Sequence, residues 1–272
     1  MKRLMNHQPD NLVRYILGAI PFILLLFIYI ISSDARLAEN PQDKLLPSLQ
    51  SMADAVDTMA LQPSKRSGEY FLWNDTTSSL RRLGLGVGFA ALIGLLFGIL
   101  NGVIPLVRAN LSPFITAFSL VPPLAVLPIL FIVFGLDEFS KIALIAIGVT
   151  PFIIRDLQAK VLELPSEQLT KAQTLGASTW LVIVRVVLPQ ILPRLIEAVR
   201  LSLGAAWLFL IAAEAIASTD GLGYRIFLVR RYLSMDIILP YVMWITLLAF
   251  LTDYALRLIS KKSFPWFHVM SK

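Results

Sequence analysis

One acidic residue stands apart in this sequence because a carboxylate in an apolar run needs a partner. Glu214 lies in the stretch LFLIAAEAIAST, with apolar residues on both sides. Placing a carboxylate inside a membrane is costly, so such a side chain should face the protein interior or water and pair with a cation. Arg225, Arg230 and Arg231 follow it as candidate partners. Contact with a ligand and a structural or gating role both remain open for Glu214.

Several common chemistries are excluded by residue type. The chain has no cysteine, which excludes disulfides, thiolate catalysis and cysteine-ligated metals. Its two histidines, His7 and His268, lie near opposite ends, so we expect neither a zinc site nor a Ser-His-Asp triad. No G-x-x-x-x-G-K-[ST] phosphate loop occurs, so the chain is not itself an ATPase. We expect no catalytic residue, no metal and no cofactor in this chain, and a membrane-embedded enzyme is not favoured.

Composition places the chain among membrane proteins. Of its 272 residues 57% are hydrophobic and 15% are charged, and the mean hydropathy is +0.73. Soluble domains are typically about 25% charged. The net charge is +6, but a membrane protein collects Lys and Arg in its cytoplasmic loops. Because no basic face or RNA-binding signature occurs, we expect contact with lipid and none with nucleic acid.

Uncharged runs predict an all-α integral membrane protein with six transmembrane helices, judged against the roughly 20 residues that a crossing needs. The runs are Tyr15 to Ile31, Leu83 to Val107, Ala109 to Leu136, Ile142 to Ile154, Leu201 to Ser218, and Ile237 to Thr252. The fourth and sixth are short, so polar flanks must extend those helices. The predicted organisation is an N-terminal segment with the first span (1–31), an outer loop (32–82), a core (83–258) and a tail (259–272).

Charge also predicts orientation. With the N-terminus inside, the short inner segments carry more Lys and Arg than the short outer ones, which favours both termini on the cytoplasmic side. The first span has the alternative of a signal peptide, because Lys2 and Arg3 precede it. Its apolar run is longer than the usual core of such a peptide, roughly 7–15 residues, so we favour a retained span.

The outer loop contains apolar residues at helical spacing in LLPSLQSMADAVDTMAL, with Pro47 able to occupy a first turn. This pattern predicts a short amphipathic helix at the outer membrane interface. A connector and a lid or docking surface are both open interpretations.

The second span carries a small residue at every fourth position: Gly86, Ala90, Gly94, Gly98 and Gly102. This spacing puts a smooth stripe on one helix face, where another backbone can approach closely. We interpret Gly94, Gly98 and Gly102 as helix-packing residues.

Prolines interrupt the third span at Pro122, Pro123 and Pro128. Each removes a backbone donor, and inside a membrane the freed groups must face protein or a water-filled cavity. A transport pathway and a plain structural kink are both open interpretations. Trp207, in the fifth span, is assigned with Glu214 and these prolines to the pathway or gate.

The segment between the fourth and fifth spans predicts two short helices joined by a sharp turn. Ser166 can cap the first helix, and Gly176 supplies the left-handed residue that ends it. Ser178 or Thr179 can cap the second, which we expect to end at Leu188-Pro189. An exposed helix here is either a docking element or an idle loop helix.

The spacing in this segment resembles the coupling-helix signature of bacterial ABC-importer permeases. That signature reads Glu-Ala-Ala, three residues, Gly, nine residues, Ile, one residue, Leu-Pro. Here Ala172, Gly176 and Leu188-Pro189 match, Val186 is a mild change, and Thr170-Lys171 replace Glu-Ala. Glu167, one turn earlier, could take the place of the acid. The resemblance assigns contact with an ATPase to these residues: Glu167, Thr170, Lys171, Ala172, Leu175, Gly176, Ala177, Ser178, Leu188 and Pro189.

The runs VPPLAVLPILFIVFGLDEFSK and LSLGAAWLFLIAAEAIASTDGLGY are similar to the taurine, aliphatic sulfonate and nitrate importer permeases. The resemblance covers roughly Thr76 to Trp266. It implies a type I importer membrane subunit in a bacterial inner membrane, with a cytoplasmic coupling helix near 167–178. It implies as partners a second copy of the chain, two ATPase subunits that hold ATP and Mg, and a periplasmic or lipid-anchored solute-binding protein.

Two questions stay open. An ion-gradient-driven secondary transporter is an alternative, but Glu214 alone offers the intramembrane charge that coupling would use. Within the importer interpretation the solute is expected to be a small anion of the sulfonate, taurine or nitrate type. Arg225, Arg230 and Arg231 could attract it at the outer mouth. Alternatively these arginines pair with Asp220, Asp236 and Glu214.

Overall fold

The computed structural model describes residues 10–41, 43–64 and 68–269, and all regular structure within these ranges is helical. His7, Lys2, Arg3 and the last residues of the predicted tail lie outside the described ranges. The α-helices are α1 (Asn11–Glu39), α2 (Leu49–Ala60), α3 (Phe71–Val103), α4 (Pro105–Ser119), α5 (Pro123–Phe134), α6 (Glu138–Leu162), α7 (Ser166–Thr174), α8 (Thr179–Val182), α9 (Leu188–Ala217), α10 (Leu222–Val229), α11 (Met235–Ser263) and α12 (Pro265–Val269).

Among the described residues, five helices are long and apolar enough to cross a membrane, and a bent helix pair makes a sixth crossing when it is counted as one span. Five are single helices: α1, α3, α6, α11, and the continuous helix from Thr179 to Ala217. The sixth is the pair α4 and α5, which meet at an angle of 95°. The prediction of an all-α membrane protein is therefore confirmed, and the predicted count of six spans is reached when the bent pair is counted as one. The two short runs are extended by polar flanks, because α6 reaches from Glu138 to Leu162 and α11 from Met235 to Ser263.

The core of the bundle lies where α3 and α9 pack on α6. Leu144, Ile145, Ile153 and Leu157 of α6 are fully buried. The small residues of α3 lie directly against this row. A Cβ atom on Gly98 would come within 2.7 Å of the Leu157 Cβ, and one on Gly94 within 2.4 Å of the Ile153 Cγ2. A third close contact joins Gly102 to Val161. Helices α3 and α6 can approach this closely only because no residue of the stripe has a side chain larger than a methyl group.

The bend between α4 and α5 coincides with the paired prolines. Helix α4 ends at Ser119, and the Leu120 N–H closes its last turn by donating to the Ala117 carbonyl at 3.2 Å. Pro122 is the extended residue before α5, and Pro123 is its first residue, where the missing N–H costs no helical hydrogen bond. The prolines therefore divide the third span into two helices.

Pro189 does not end a helix, and this prediction is wrong. A π-helical turn, Ile183–Val187, precedes the proline, and the chain continues as α9 without a break. In that turn the Leu188 N–H donates to the Ile183 carbonyl five residues earlier. The wider turn shifts the hydrogen-bond register just where the proline lacks a donor.

The predicted outer loop, 32–82, is shorter than expected. Helix α1 continues to Glu39, and α3 begins at Phe71, so both ends of that segment are helical. The amphipathic helix predicted within it is α2, which Ser48 caps through its side chain. Pro47 lies just before that cap and accepts a hydrogen bond from the Tyr29 hydroxyl at 2.7 Å, which ties the segment to α1.

Helices α3, α6 and α9 give the bundle two ends. The first is the α7 end, where α3 and α6 finish and the α7–α8 hairpin lies. The second is the Arg82 end, where α6 starts and α9 finishes. The two candidate sites lie at these opposite ends.

Candidate functional site

Four charged residues meet at the Arg82 end, and we call them the charge cluster: Arg82, Glu138, Glu214 and Asp220. Arg82 lies on α3, Glu138 begins α6, Glu214 is near the end of α9, and Asp220 is in the loop before α10. Arg82 is 2% exposed and Glu214 is fully buried. The cluster thus joins three spans and a loop around one buried guanidinium.

The Arg82 guanidinium forms five hydrogen bonds, which matches its five N–H groups. Two run to Glu138 in a bidentate pair, with Nε–Oε2 at 2.6 Å and Nη2–Oε1 at 2.7 Å. Nη1 donates to Glu214 Oε1 at 2.7 Å and to the Asp220 backbone carbonyl at 3.0 Å. Nη2 also donates to Asp220 Oδ1. Paired carboxylates on all sides offset the cost of burying this cation.

The partner of Glu214 is Arg82, and not one of the arginines that follow it in the sequence. Ser79 also donates to Glu214, at 2.8 Å to Oε1, and the Gly223 N–H donates to Oε2 at 2.9 Å. The expectation that Arg225, Arg230 or Arg231 would pair with Glu214 is therefore wrong. Helix α9 brings the carboxylate back to α3, which the chain had formed 132 residues earlier.

Arg225 belongs to a second buried pair beside the cluster. Its Nε donates to Asp75 Oδ2 at 2.8 Å, and the Tyr241 hydroxyl donates to the same oxygen at 3.2 Å. The Gly221 N–H donates to Asp75 Oδ1 at 3.0 Å. Arg225 is thus neither a partner of Asp220 nor a free cation, and α3, α10 and α11 are held together here.

Glycine is required where the α9–α10 loop passes over the cluster. Gly221 has φ +110°, which side chains of L-residues rarely adopt. A Cβ atom there would lie 2.5 Å from Glu214 Oε1 and 2.7 Å from Arg82 Nη1. The backbone can therefore approach the ion pair closely enough to donate N–H groups to it.

Asp220 is the member of the cluster that lies outside the spanning helices. Partial burial acts to raise the pKa of its carboxyl, but hydrogen bonds from Ser78 and Arg82 outweigh this and hold the pKa below its ordinary value. Ser78 Oγ donates to Asp220 Oδ2 at 2.6 Å. Asp220 is therefore an anion at neutral pH, and it fixes the loop to α3.

At the α7 end, the turn between α7 and α8 is a Schellman motif. Gly176 has φ +82°, its N–H donates to the Gln173 carbonyl at 2.9 Å, and the Ala177 N–H donates to the Ala172 carbonyl at 3.0 Å. Ser178 then caps α8 by accepting from the Leu181 N–H at 3.3 Å. The first helix begins at Ser166 itself, with Pro165 in the cap position that was predicted for Ser166.

The α7–α8 hairpin presents most of its side chains to the surroundings. No residue of α7 is buried, and Leu175 and Trp180, on either side of the turn, are 80% and 72% exposed. Glu167, Thr170 and Lys171 are exposed as well. A second group packs inward against the bundle: Ala172, Ala177 and Leu188. The hairpin is thus anchored on one face and free on the other.

The predicted pathway residues are not together. Pro122 and Pro128 are exposed on the α5 side, whereas Trp207 is 5% exposed within the core. Pro123 lines a cavity of about 530 Å³ between the α4–α5 bend and α6. Glu214 lies in the charge cluster at the Arg82 end.

Two sets of polar residues described here were not predicted from the sequence. Asp75, Ser79 and Arg82 lie at helical spacing on one face of α3, in line with the small-residue stripe, but they fall in the segment interpreted as outer loop. Arg155 and Asp156, which line the 530 Å³ cavity, follow the fourth uncharged run directly. The helical period of the stripe, continued backwards from Gly86, was the signal that could have found Arg82.

The described residues contain no group of three or more His, Asp or Glu side chains placed to hold a metal ion. The charge cluster, with a cation at its centre, is an ion-pair network. The charge cluster can fix helices relative to one another. The α7–α8 hairpin, at the other end, can offer a rigid surface to a partner.

Comparisons with known proteins agree on one family. Residues 90–264 match the family model "Binding-protein-dependent transport system inner membrane component". The chain is 37% identical over 195 residues to the taurine transport system permease protein TauC of Escherichia coli, covering 72% of this chain and 71% of TauC. It is 35% identical over 207 residues to SsuC of Bacillus subtilis, named for the transport of aliphatic sulfonates, covering 74% and 72%.

Among solved structures, the fold is similar to a chain of the MetNI methionine ABC transporter in an inward-facing conformation. The TM-score is 0.64 at 22% identity, and the match covers 73% of this chain and 98% of the other.

Proposed function

The chain belongs to the family of binding-protein-dependent transport system inner membrane components, and we propose how this permease subunit of an ABC importer contacts its ATPase, lies in the membrane and selects its solute. It is an inner-membrane protein that spans the bilayer several times. The energy for transport comes from ATP and Mg bound by a separate ATPase subunit. The functional unit contains two copies of this chain and two ATPase subunits.

The α7–α8 hairpin is the part that contacts the ATPase. The observation that carries this proposal is the Schellman turn at Gly176, at the spacing of the coupling-helix signature, between the exposed apolar side chains of Leu175 and Trp180. Exposed apolar residues on a rigid turn are typical anchors for a pocket on a partner. Ala172, Ala177 and Leu188 fix the hairpin to the bundle from the other side.

This coupling places the α7 end in the cytoplasm, where the ATPase is. Both termini are then cytoplasmic, and the Arg82 end and α2 face the periplasm. A periplasmic or lipid-anchored binding protein delivers the solute there. The charge cluster is a structural element of this outer end, where it holds α3, α6, α9 and the α9–α10 loop together.

The solute is a small organic sulfonate, with taurine as the first candidate. This follows from the likeness to TauC and SsuC, over about 70% of each chain. Within the described residues Arg225 is neutralised by Asp75, so at least one of the cations expected at the outer mouth does not attract the solute.

The experiment that tests the proposal is capture of the tagged chain from its native membrane in mild detergent, with the partners quantified by mass spectrometry. We expect one ATPase subunit per permease, and loss of the ATPase in Leu175→Glu and Trp180→Glu. The matched control is Leu162→Glu, an exposed residue at the end of α6 outside the hairpin. Recovery of the chain alone under every nucleotide condition would contradict the proposal and favour transport driven by an ion gradient.

A further inference from the structure

The cavity of about 530 Å³ between the α4–α5 bend and α6 carries two opposite charges on neighbouring residues. Arg155 and Asp156 both line it, together with Ser119 at the end of α4. Its remaining walls are largely apolar, contributed by α5 and by the middle of α6. The cavity thus combines an apolar wall with a few placed polar groups, which is the pattern of a small-molecule site.

The Arg155 guanidinium has donors to spare. Its side chain is exposed, and its one side-chain partner in the described part of the chain is the Ser119 hydroxyl, with Nη1–Oγ at 3.1 Å. A guanidinium carries five N–H groups in a planar fork that matches an oxyanion. Arg155 and Ser119 together can therefore hold an acid group.

The Asp156 carboxylate is available to a cation. It is half-buried, and Lys160 and Arg194, two cations whose charge acts on it, are each paired with another carboxylate. Lys160 pairs with Glu163 at 3.0 Å, and Arg194 pairs with Glu197 at 3.1 Å. Across the ranges that the structure describes, Asp156 itself takes part in no ion pair.

A backbone carbonyl adds a second acceptor on the same wall. Pro151 lies inside α6 and has no N–H to donate to the Ile147 carbonyl one turn earlier. Ile147 and Pro151 both line the cavity. The freed carbonyl and Asp156 are the groups that an ammonium would seek in a partly apolar site.

We propose that this cavity, in the part of α6 nearer the α7 end, is a site where the permease binds its solute during transport. It selects a small zwitterion, with an acid group on Arg155 and Ser119 and an ammonium group on Asp156. The inference rests on the proposed function and narrows it from organic sulfonates to amino-substituted sulfonates. A simple anion would bind Arg155 but would face the negative charge of Asp156 without compensation. Asp156 is thus a specificity-determining residue.

The test compares 2-aminoethanesulfonate (taurine) with ethanesulfonate, which lacks the amino group. ATP-dependent uptake is measured in proteoliposomes that contain the complete importer and saturating binding protein. In the same complex without binding protein, saturation-transfer NMR reports direct contact with each compound. We expect Asp156→Asn to lower the taurine signal and taurine uptake by about tenfold, because one charge-assisted hydrogen bond is lost. The same variant should raise the ethanesulfonate NMR signal, because the negative charge that opposes a simple anion is removed.

Arg155→Gln should lower both NMR signals, and Asp54→Asn, which changes an exposed carboxylate on α2 outside the cavity, should change neither. ATP hydrolysis stimulated by the binding protein shows that each variant is folded and coupled. Equal loss of both compounds in Asp156→Asn, or of neither, would overturn the zwitterion site while the proposed function stood. Failure of the wild-type complex to take up any sulfonate with ATP would overturn the proposed function and the site with it.

Discussion

At the scale of single residues, Arg82 is the centre of the charge cluster at the Arg82 end of the bundle. It is buried, and all five of its N–H groups are used, by three carboxylates and a backbone carbonyl. Removing one partner of a buried ion pair leaves the other charge without compensation. The cluster is therefore sensitive to any change of charge within it.

The first prediction concerns Glu214→Gln. We expect the free energy of unfolding to fall by about 3–5 kcal/mol, because Arg82 loses a fully buried counter-charge. Thermal unfolding in detergent measures this loss, and solute uptake should fall with it. Glu197→Gln, which breaks the partly exposed pair with Arg194, is the control and should change stability by less than about 1 kcal/mol. An unchanged melting temperature and transport rate in Glu214→Gln would show that the cluster does not hold the fold.

The second prediction is a pH dependence that Asp220 introduces. The pKa of its carboxyl is lower in the folded protein than in the unfolded chain, so its contribution to stability is complete above the unfolded value, about 3.9. That contribution is lost as the pH falls through the folded pKa. Between pH 6 and pH 3 the melting temperature should therefore fall more steeply in the wild type than in Asp220→Asn. Parallel curves for the two proteins would exclude Asp220 as the titrating group.

The sequence predicts that Glu214 needs a cationic partner, but the residues around Glu214 do not identify that partner as Arg82. An acid in an apolar run must be paired, but which cation reaches it depends on how α3 and α9 cross. Arg82 directly precedes an uncharged run, and an arginine in that position is ordinarily expected to face water. Its pairing is a tertiary contact, so no local pattern around Glu214 contains it.

At the scale of the helices, α3 and α6 pack through glycine. The third prediction compares Gly98→Ala with Gly84→Ala on the same helix. A Cβ on Gly98 would lie 2.7 Å from the Leu157 Cβ, whereas nothing lies within 4 Å of one on Gly84. We expect Gly98→Ala to lower the free energy of unfolding by about 1–3 kcal/mol through overpacking. Gly84→Ala should raise it slightly through helix propensity. Thermal unfolding measures both, and equal effects would argue against the close contact with α6.

The fourth prediction concerns the turn at Gly176. With φ +82°, a β-branched side chain is strained there, although nothing lies within 4 Å of an added Cβ. We expect Gly176→Val to abolish ATP-driven uptake while the bundle stays folded, and Gly176→Asn, which tolerates the left-handed conformation, to keep most of it. Uptake and size-exclusion chromatography measure the two effects. Normal uptake by Gly176→Val would count heavily against a coupling role for the hairpin.

Prolines show where prediction of the helices succeeds and where it fails. Pro122 and Pro123 break the third span as expected, because two adjacent residues lack donors and the chain there turns by 95°. Pro189 leaves its helix intact, because a π-helical turn absorbs the missing hydrogen bond. Apolar runs indicate that a helix exists, but its ends depend on polar residues that pair elsewhere, as at the start of α3.

At the scale of the whole molecule, the orientation of the chain in the membrane can be measured by cysteine labelling. Because the chain has no cysteine, an introduced one is its single reactive thiol. The fifth prediction uses single cysteines at two exposed positions, Thr58→Cys on α2 and Ser263→Cys at the end of α11. In spheroplasts a membrane-impermeant maleimide should label the first alone. After the membrane is permeabilised it should label both. Labelling of Ser263→Cys alone in intact spheroplasts would reverse the proposed orientation.

The continuous helix from Thr179 to Ala217 has a mechanical consequence. One end of it is the hairpin that we propose docks on the ATPase, and the other carries Glu214, which is held by Arg82. Its α9 portion alone is about 45 Å long at 1.5 Å per residue. Because the charge cluster holds this rod at the Arg82 end, we expect it to act as a lever arm, so that a small push on the hairpin tilts the whole helix. The π-helical turn at Ile183–Val187 lies between the hairpin and α9, so we expect its geometry to determine how much of that push reaches the rest of the bundle.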